Sequence, residues 1–320
     1  MAGVEVLRNP GPPLSRGFGV PQPRPPLPFY FEEFALTRVL IQTVSEVREA
    51  VAAARGRHLR LGLVPTMGAL HAGHVSLIRA ARAENDFIVV SIFVNPAQFG
   101  PKEDLSRYPR ALEHDVAQCA AEAVDLIFHP EPSTMYPPGY RTFVEVHELQ
   151  DALCGPSRPG HFRGVATVVL KLLNIVQPDR AYFGQKDAQQ ARIIEKMVGD
   201  LDVPVTIKVC PIVRAADGLA LSSRNVYLNA EERVHATVLY RTLEEVRRRV
   251  AAGERSAAVL IQDAMAMIAK TPGTRLDYAS IVDLETLKPV ARLQGKVLVA
   301  LAVFLGGTRL IDNVILLVKD

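Results

Sequence analysis

Two histidines, three positions apart and next to glycines, are the first residues in this chain that could carry out chemistry. Segment 64–77 reads VPTMGALHAGHVSL, so His71 and His74 follow an apolar run and begin an amphipathic one. This order predicts a strand-to-helix turn with both imidazoles at the helix N-terminus, where backbone N–H groups and the helix dipole favour an anion. Gly68 and Gly73 would let a ligand approach the backbone. Phosphate chemistry is the leading hypothesis.

Two other interpretations of the histidine pair stay open at this point. The imidazoles could simply cap and solvate a tight turn. They could also bind a metal, although no third ligand with matching spacing is nearby.

Amide side chains follow the next apolar run, in the segment FVNPAQF at 93–99. Asn95 and Gln98 can both donate and accept hydrogen bonds, which suits a substrate rich in hydroxyl or carboxylate groups. The alternative is an ordinary Asn-Pro turn. The charged stretch 100–110 that follows is either a solvated loop or a lid over a site.

A lysine stands at a third strand-to-helix junction, FGQKDAQQ at 183–190. Lys186 is a compact cation suited to phosphate. Asp187 and Gln190 also match the N-cap and N3 positions of a helix capping box, which is the structural alternative.

The fourth cluster, LSSRN at 221–225, has two hydroxyls and a guanidinium. Ser222, Ser223 and Arg224 could bind phosphate, or they could belong to an ordinary loop. Because the chain contains neither a Walker A pattern nor Gly-x-Gly-x-x-Gly, nucleotide binding would need another scheme.

The elements around these clusters alternate between strand and helix. Strands are predicted at 59–64, 87–94, 126–128, 181–183 and 205–209, and helices at 44–54, 72–84, 111–124, 165–176 and 188–201. This alternation indicates a mostly parallel sheet with ligands at the carboxyl ends of its strands. Beyond residue 213, helices at 230–252 and 256–270 precede strands at 276–282, 297–304 and 310–318, which indicates a smaller α+β domain.

Composition limits the function classes. The 320 residues are 48% hydrophobic with a net charge of +3, so a broad nucleic-acid-binding surface is not expected. No apolar run is long enough for a membrane span, and the three cysteines form no CxxC pair, so a cytosolic protein fits best. Prolines crowd residues 1–30, which we interpret as a disordered extension.

Four segments occur in the order found in a known family: PTMGALHAGH, SIFVNPAQFGPKEDLSRYPR, GHFRGVATVVLKLLNIVQPDRAYFGQKDAQQ and ADGLALSSRNVYL. Over about residues 36–320 the chain resembles the pantothenate synthetases, or pantoate–β-alanine ligases, of the nucleotidylyltransferase superfamily. The His-Ala-Gly-His segment looks like the HIGH signature of that superfamily.

The resemblance implies an α/β fold with a Rossmann-like N-terminal domain at 34–213 and a smaller α+β lid domain at 214–320, after the extension at 1–33. It also implies that ATP and (R)-pantoate form pantoyl adenylate and pyrophosphate, and that β-alanine then displaces AMP to give pantothenate. Mg²⁺ would accompany ATP, and the enzyme would be a cytoplasmic homodimer. The nearest rival is a nucleotidyltransferase that stops at a nucleotide product.

The resemblance also assigns residues. The ATP site would comprise Met67, Gly68, Ala69, Leu70, His71, Ala72, Gly73, His74, Gly184, Gln185, Lys186, Asp187, Val213, Leu221, Ser222, Ser223 and Arg224. Of these, His71, His74, Lys186, Ser222, Ser223 and Arg224 would be catalytic, with His74 a proton donor. Pantoate would be bound by Gln98 and Gln190, with Asn95 nearby, and Gln98 would also approach β-alanine. No residue is assigned to a metal, and Gln185 stands where glutamate is frequent in the family.

Overall fold

The computed structural model describes residues 4–6, 40–101 and 103–319 of the chain. In this part, six parallel strands form one sheet in the order β2-β5-β4-β3-β6-β7. The strands are β2 Leu40–Ile41, β3 Leu61–Thr66, β4 Phe87–Ile92, β5 Leu126–Phe128, β6 Arg180–Gly184 and β7 Thr206–Cys210. The predicted Rossmann-like fold class is confirmed.

Helices cover both faces of this sheet, as an apolar parallel sheet requires. They are α1 Val44–Gly56, α2 Ala72–Glu84, α3 Leu112–Ala121, α4 Pro132–Met135, α5 His161–Val176 and α6 Ala188–Asp200. Helices α1, α5 and α6 share one core, and α2 and α3 share the other. Strand β3 pairs with β4 on one side and β6 on the other, so the chain order reverses beside β3. Ligands bind at such a reversal in open α/β sheets.

The C-terminal part is an antiparallel sheet in the order β1-β10-β9-β8, packed against two helices. Its elements are β1 Val4–Val6, α7 Ala230–His235, α8 Val238–Ala251, α9 Ala257–Ala269, β8 Thr274–Asp283, β9 Gly295–Leu305 and β10 Thr308–Val318. Leu298 and Ala300 of β9 belong to the same core as α5 and α6, so the two sheets share apolar packing.

Two predictions about these elements were wrong. The single helix at 230–252 is interrupted between His235 and Val238, where both the N–H and the hydroxyl of Thr237 donate to the Val234 carbonyl. Disorder across residues 1–33 does not hold for Val4–Val6, which pair with β10 as an edge strand ahead of the first proline. Residues 1–3 and 7–33 lie outside the described residues. No helix in the described ranges is long and apolar enough to cross a membrane.

Candidate active site

A cavity of about 220 Å³ opens at the carboxyl ends of β3, β4 and β6, next to the reversal in strand order. All four polar clusters reach it. The predicted site residues that line it are Met67, His71, Gly73, His74, Asn95, Gln98, Gly184, Lys186, Asp187, Gln190, Val213, Leu221, Ser222, Ser223 and Arg224. Five predicted ATP contacts do not line it: Gly68, Ala69, Leu70, Ala72 and Gln185.

The two histidines cap the helix and face the cavity at the same time. Nδ1 of His71 accepts a hydrogen bond from the backbone N–H of Gly73 at 3.1 Å, and Nδ1 of His74 accepts one from the N–H of His71 at 3.3 Å. Each Nδ1 is therefore an acceptor, which assigns the proton of the neutral ring to Nε2. Capping and ligand binding are compatible here, because they use different ring atoms.

Both imidazoles are neutral near pH 7. Burial, with a further contribution from the nearby Lys186 ammonium, lowers the pKa of His71 to about 4. Burial first, and then His71 and Lys186, lower the pKa of His74 to about 3. His74 therefore offers an Nε2–H hydrogen bond and is not an imidazolium at neutral pH.

The turn before the histidines is held from behind by an aspartate that the sequence analysis missed. The buried carboxylate of Asp115 accepts from the N–H groups of Ala69 at 2.8 Å and Leu70 at 2.7 Å. A Cβ on Gly68, whose φ is +81°, would lie 2.8 Å from the same carboxylate. In the sequence, the available signal for this role was that Asp115 stands one helical turn before Cys119, which is buried in α3.

Gly73 lines the cavity and also makes room for the His71 ring. A Cβ at this position would lie 2.8 Å from that imidazole.

Asn95 and Gln98 form a connected pair of amides. Asn95 Nδ2 donates to Gln98 Oε1 at 3.0 Å and to the Gly164 carbonyl, while its Oδ1 accepts from the Tyr136 hydroxyl at 2.8 Å. Gln98 Nε2 donates to the Met67 sulfur at 3.1 Å, a weak acceptor. Asn95 therefore orients Gln98, and Gln98 retains hydrogen-bonding capacity toward the cavity.

Lys186 and Asp187 follow β6 directly. The capping-box alternative at this junction is not seen, because Asp187 is the N-cap residue of α6 but its side chain makes no capping hydrogen bond. Its carboxylate lies 3.7 Å from the Lys186 ammonium. Gln190 lines the cavity, whereas Gln189 is used internally and donates to the carbonyls of Leu149 and Ala152.

The serine–arginine loop contacts both the histidine turn and the 100–110 stretch. Ser223 Oγ donates to the Ala69 carbonyl at 3.2 Å, and Ser222 Oγ accepts from the Arg224 N–H at 3.3 Å. The Arg224 guanidinium makes two hydrogen bonds to the Asp104 carboxylate, at 2.8 and 2.9 Å. The Arg224–Asp104 contact ties Asp104 to the serine–arginine loop.

A second ion pair, from Arg158 to the 100–110 stretch, was also missed by the sequence analysis. The Arg158 guanidinium binds Glu103 through two hydrogen bonds and lies 2.8 Å from His161 Nε2, while His161 Nδ1 lies 2.8 Å from the Gln98 carbonyl. Burial alone would raise the pKa of Glu103, but the adjacent Arg158 guanidinium lowers it below its ordinary value. Burial, followed by Arg158, lowers the pKa of His161 to about 4. No local pattern marks this network, because its partners are 55 and 63 residues apart.

A larger cavity of about 630 Å³ adjoins the first and extends to β10. Lys186, Asp187, Ser222 and Arg224 line both cavities. Neutral N–H donors, the Lys186 ammonium and the guanidinium groups of Arg158 and Arg224 thus line the two adjoining cavities. Such a donor set can stabilise negative charge that develops on phosphate oxygens.

Comparisons with known proteins agree with this geometry. A family model described as pantoate-beta-alanine ligase matches residues 39–315. The chain is 58% identical to the pantothenate synthetase of Moorella thermoacetica over 281 residues, which covers 88% of this chain and 99% of the relative. It is 56% identical to that of Roseiflexus sp. over 277 residues, which covers 87% and 99%.

Solved structures give the same result. The pantothenate synthetase of Thermus thermophilus superposes with a TM-score of 0.82 at 46% identity, covering 86% of this chain and 98% of that one. The pantoate-beta-alanine ligase of Francisella tularensis, solved with beta-gamma ATP and beta-alanine, has a TM-score of 0.71 at 35% identity, covering 86% and 97%.

Proposed function

The chain belongs to the pantoate–β-alanine ligase family, whose known reaction is the ATP-dependent condensation of pantoate with β-alanine, and we propose that the cavity beside β3 is where it occurs. The observation that carries the proposal is the convergence of His71, His74 and Lys186 at the ends of two neighbouring strands, next to the Gln98 amide. Phosphate donors and a carboxylate-binding amide thus face one space.

In the first step, the pantoate carboxylate attacks the α-phosphorus of ATP, forming an acyl phosphate bond and releasing pyrophosphate. Charge builds up on the phosphate oxygens in this step, so the Nε2–H groups of His71 and His74 and the Lys186 ammonium would stabilise the transition state. Neutral histidine donors need no proton transfer to do this. Ser222, Ser223 and Arg224 would bind the leaving pyrophosphate.

In the second step, the β-alanine amine attacks the acyl carbon of pantoyl adenylate and AMP leaves, which forms the amide. Gln98 and Gln190 would hold the pantoyl hydroxyls and carbonyl, and the apolar lining side chains Phe93, Val165 and Val169 would contact its methyl groups. Asn95 would act through Gln98, because its own amide atoms already have partners.

Mg²⁺ fits this donor set as an ion carried by ATP. No cluster of three His, Cys, Asp or Glu residues suited to a metal occurs within 40–101 and 103–319. Mg²⁺ commonly binds through one or two carboxylates plus substrate phosphates. Asp187 lines both cavities, and its carboxylate is the side chain we expect to contact the ion, whose charge would offset that of the triphosphate.

Product analysis tests the function. With ATP and pantoate alone, we expect one equivalent of pyrophosphate per active site and little free AMP, since the adenylate stays bound. Adding β-alanine should give continuous release of AMP, pyrophosphate and pantothenate in equal amounts, and α-alanine should not replace it. Continuous AMP release without β-alanine would contradict the ligase, and continuous pyrophosphate release without β-alanine and without free AMP would favour a nucleotidyltransferase.

The homodimer and the cytoplasmic location stay predictions from the family resemblance. Sedimentation of the full chain would measure the first.

A further inference from the structure

The last strand of the C-terminal sheet reaches the turn that carries Lys186. Asn313 lies on β10 and is 4% exposed. Its Nδ2 donates to the carbonyls of Gln185 at 2.9 Å and Lys186 at 3.0 Å. One amide thus holds two consecutive peptide groups across 127 and 128 residues of sequence.

The orientation of this amide is also fixed. Gln185 Nε2 donates to Asn313 Oδ1 at 3.2 Å. Because a carboxamide has its oxygen and nitrogen on opposite sides, this bond directs Nδ2 toward the two carbonyls. Gln185, which does not line the cavity, therefore helps to set the geometry behind it.

The neighbouring residue on β10 holds the other phosphate-facing segment. The buried Asp312 carboxylate makes hydrogen bonds of 2.6 and 2.9 Å to Arg214. Arg214 pairs with Ala220, and the Leu221 N–H donates to the Val213 carbonyl at 3.0 Å, so this contact supports the segment that leads to Ser222. Successive strand residues point in opposite directions, which lets one strand support both segments.

We propose that Asn313 is a positioning residue for adenylation: by fixing the Gln185 and Lys186 carbonyls, it directs the Lys186 side chain toward the phosphates of ATP. The inference rests on the proposed role of Lys186. The backbone at Lys186 sets the point from which this long side chain extends, and holding that backbone in place narrows the positions that the ammonium can occupy. The Asp187 carboxylate, at 3.7 Å, is too far for a close hydrogen bond and constrains the ammonium only weakly.

The test is a double-mutant cycle on ligand binding by the full chain. Calorimetry would measure the dissociation constants of α,β-methylene ATP and of adenosine for the wild type, Lys186→Ala, Asn313→Leu and the double variant. Asn313→Leu keeps the branched shape and removes the polar atoms. We expect Lys186→Ala to weaken the ATP analogue about tenfold or more and Asn313→Leu to weaken it about fivefold, with adenosine changed less than about twofold.

The decisive value is that of the double variant. If Asn313 acts through Lys186, the double variant binds the analogue as Lys186→Ala does, within about twofold. Additive losses, an unchanged analogue affinity in Asn313→Leu, or an equal loss of adenosine would overturn the proposal. An unchanged analogue affinity in Lys186→Ala would instead contradict the role of Lys186 itself, so the two failures are distinguishable.

Asn85→Leu is the matched control. Asn85 is also 4% exposed, and its Nδ2 also donates to two partners, the Ala81 carbonyl and the Tyr182 hydroxyl, but it does not line either cavity. It should lower the melting temperature and leave both affinities unchanged. Asn313→Ala, which is smaller and cannot clash, takes the place of Asn313→Leu if the latter does not fold, and the same outcomes decide.

Discussion

The two sides of the site are built differently. On the histidine side, residues 66–74 with Asp115, side chains accept hydrogen bonds from backbone N–H groups. The His71 and His74 rings cap the helix, and the Asp115 carboxylate binds the turn before it. The arginine side, residues 103–107, 158 and 222–227, is held largely by ion pairs between Arg224 and Asp104 and between Arg158 and Glu103. Their partners are 120 and 55 residues apart.

This difference has a consequence for binding. Backbone-capped imidazoles keep their orientation whether or not an anion is present, so their Nε2–H groups are preorganised. A guanidinium on a carboxylate must exchange that partner, at least in part, to bind a phosphate with the same N–H groups. We expect the histidine side to determine the rate of adenylation and the arginine side to determine phosphate affinity.

The strongest test of the histidine side is His74→Asn. Asparagine can still accept the capping hydrogen bond, but it lacks the Nε2–H donor, so the fold should persist while adenylation slows about 10²–10³-fold. Rapid-quench measurement of pyrophosphate in a single turnover would show this. Lys186→Ala should also nearly abolish adenylate formation.

The exposed His114 of α3 supplies the control variant, His114→Asn, which should be unaffected. A near-normal single-turnover rate in His74→Asn would remove His74 from the proposed mechanism.

The arginine side is tested by separating the two partners of one ion pair. Arg224→Ala should weaken α,β-methylene ATP about tenfold or more, since it removes a phosphate donor. Asp104→Asn should tighten it about two- to fivefold, because the guanidinium no longer has a competing carboxylate. Calorimetry would measure both. Weaker binding in both variants would mean that Asp104 positions Arg224 and does not compete with phosphate.

Gln98→Ala tests whether the amide next to the histidine side serves pantoate. Loss of its hydrogen bonds should weaken pantoate about tenfold and ATP less than about twofold, as measured by the two KM values. The exposed Gln262 of α9 offers the matched control, Gln262→Ala. Equal losses of pantoate and ATP affinity would indicate a disturbed fold.

The smallest expected effect is the change of the free energy of unfolding with pH. The pKa values of His71 and His74, about 4 and about 3 when folded, lie below their ordinary value of 6.5. The unfolded chain therefore takes up protons first as the pH falls. Stability from these groups is complete above about pH 6.5 and decreases below it, by at most about 1.4 kcal/mol per pH unit for each histidine.

Urea unfolding between about pH 5 and pH 8 would measure this slope. His74→Asn should reduce it between about pH 5 and pH 6.5. A slope that is the same in His74→Asn and the wild type would contradict the burial of a neutral His74.

The fold was predictable because alternating strands and helices are a local property of the sequence. The positions of the four clusters followed, since parallel strands bring their carboxyl ends to one edge. Single contacts were less predictable. Asp187 matched a capping pattern but makes no capping bond, and Gly73 makes room for a ring of its own helix turn. Such details depend on side-chain geometry that spacing does not specify.

By itself, the sequence determined the α/β sheet, the chemistry of the site and, through long ordered motifs, the family. Only the tertiary structure decided which atoms of the histidines are free, that Asp115 supports the turn before them, and that Asn313 reaches Lys186 from 127 residues away. The physical reason is range. Hydrophobic periodicity and capping act within a few residues, whereas these hydrogen bonds join segments whose proximity exists only once both sheets have packed together.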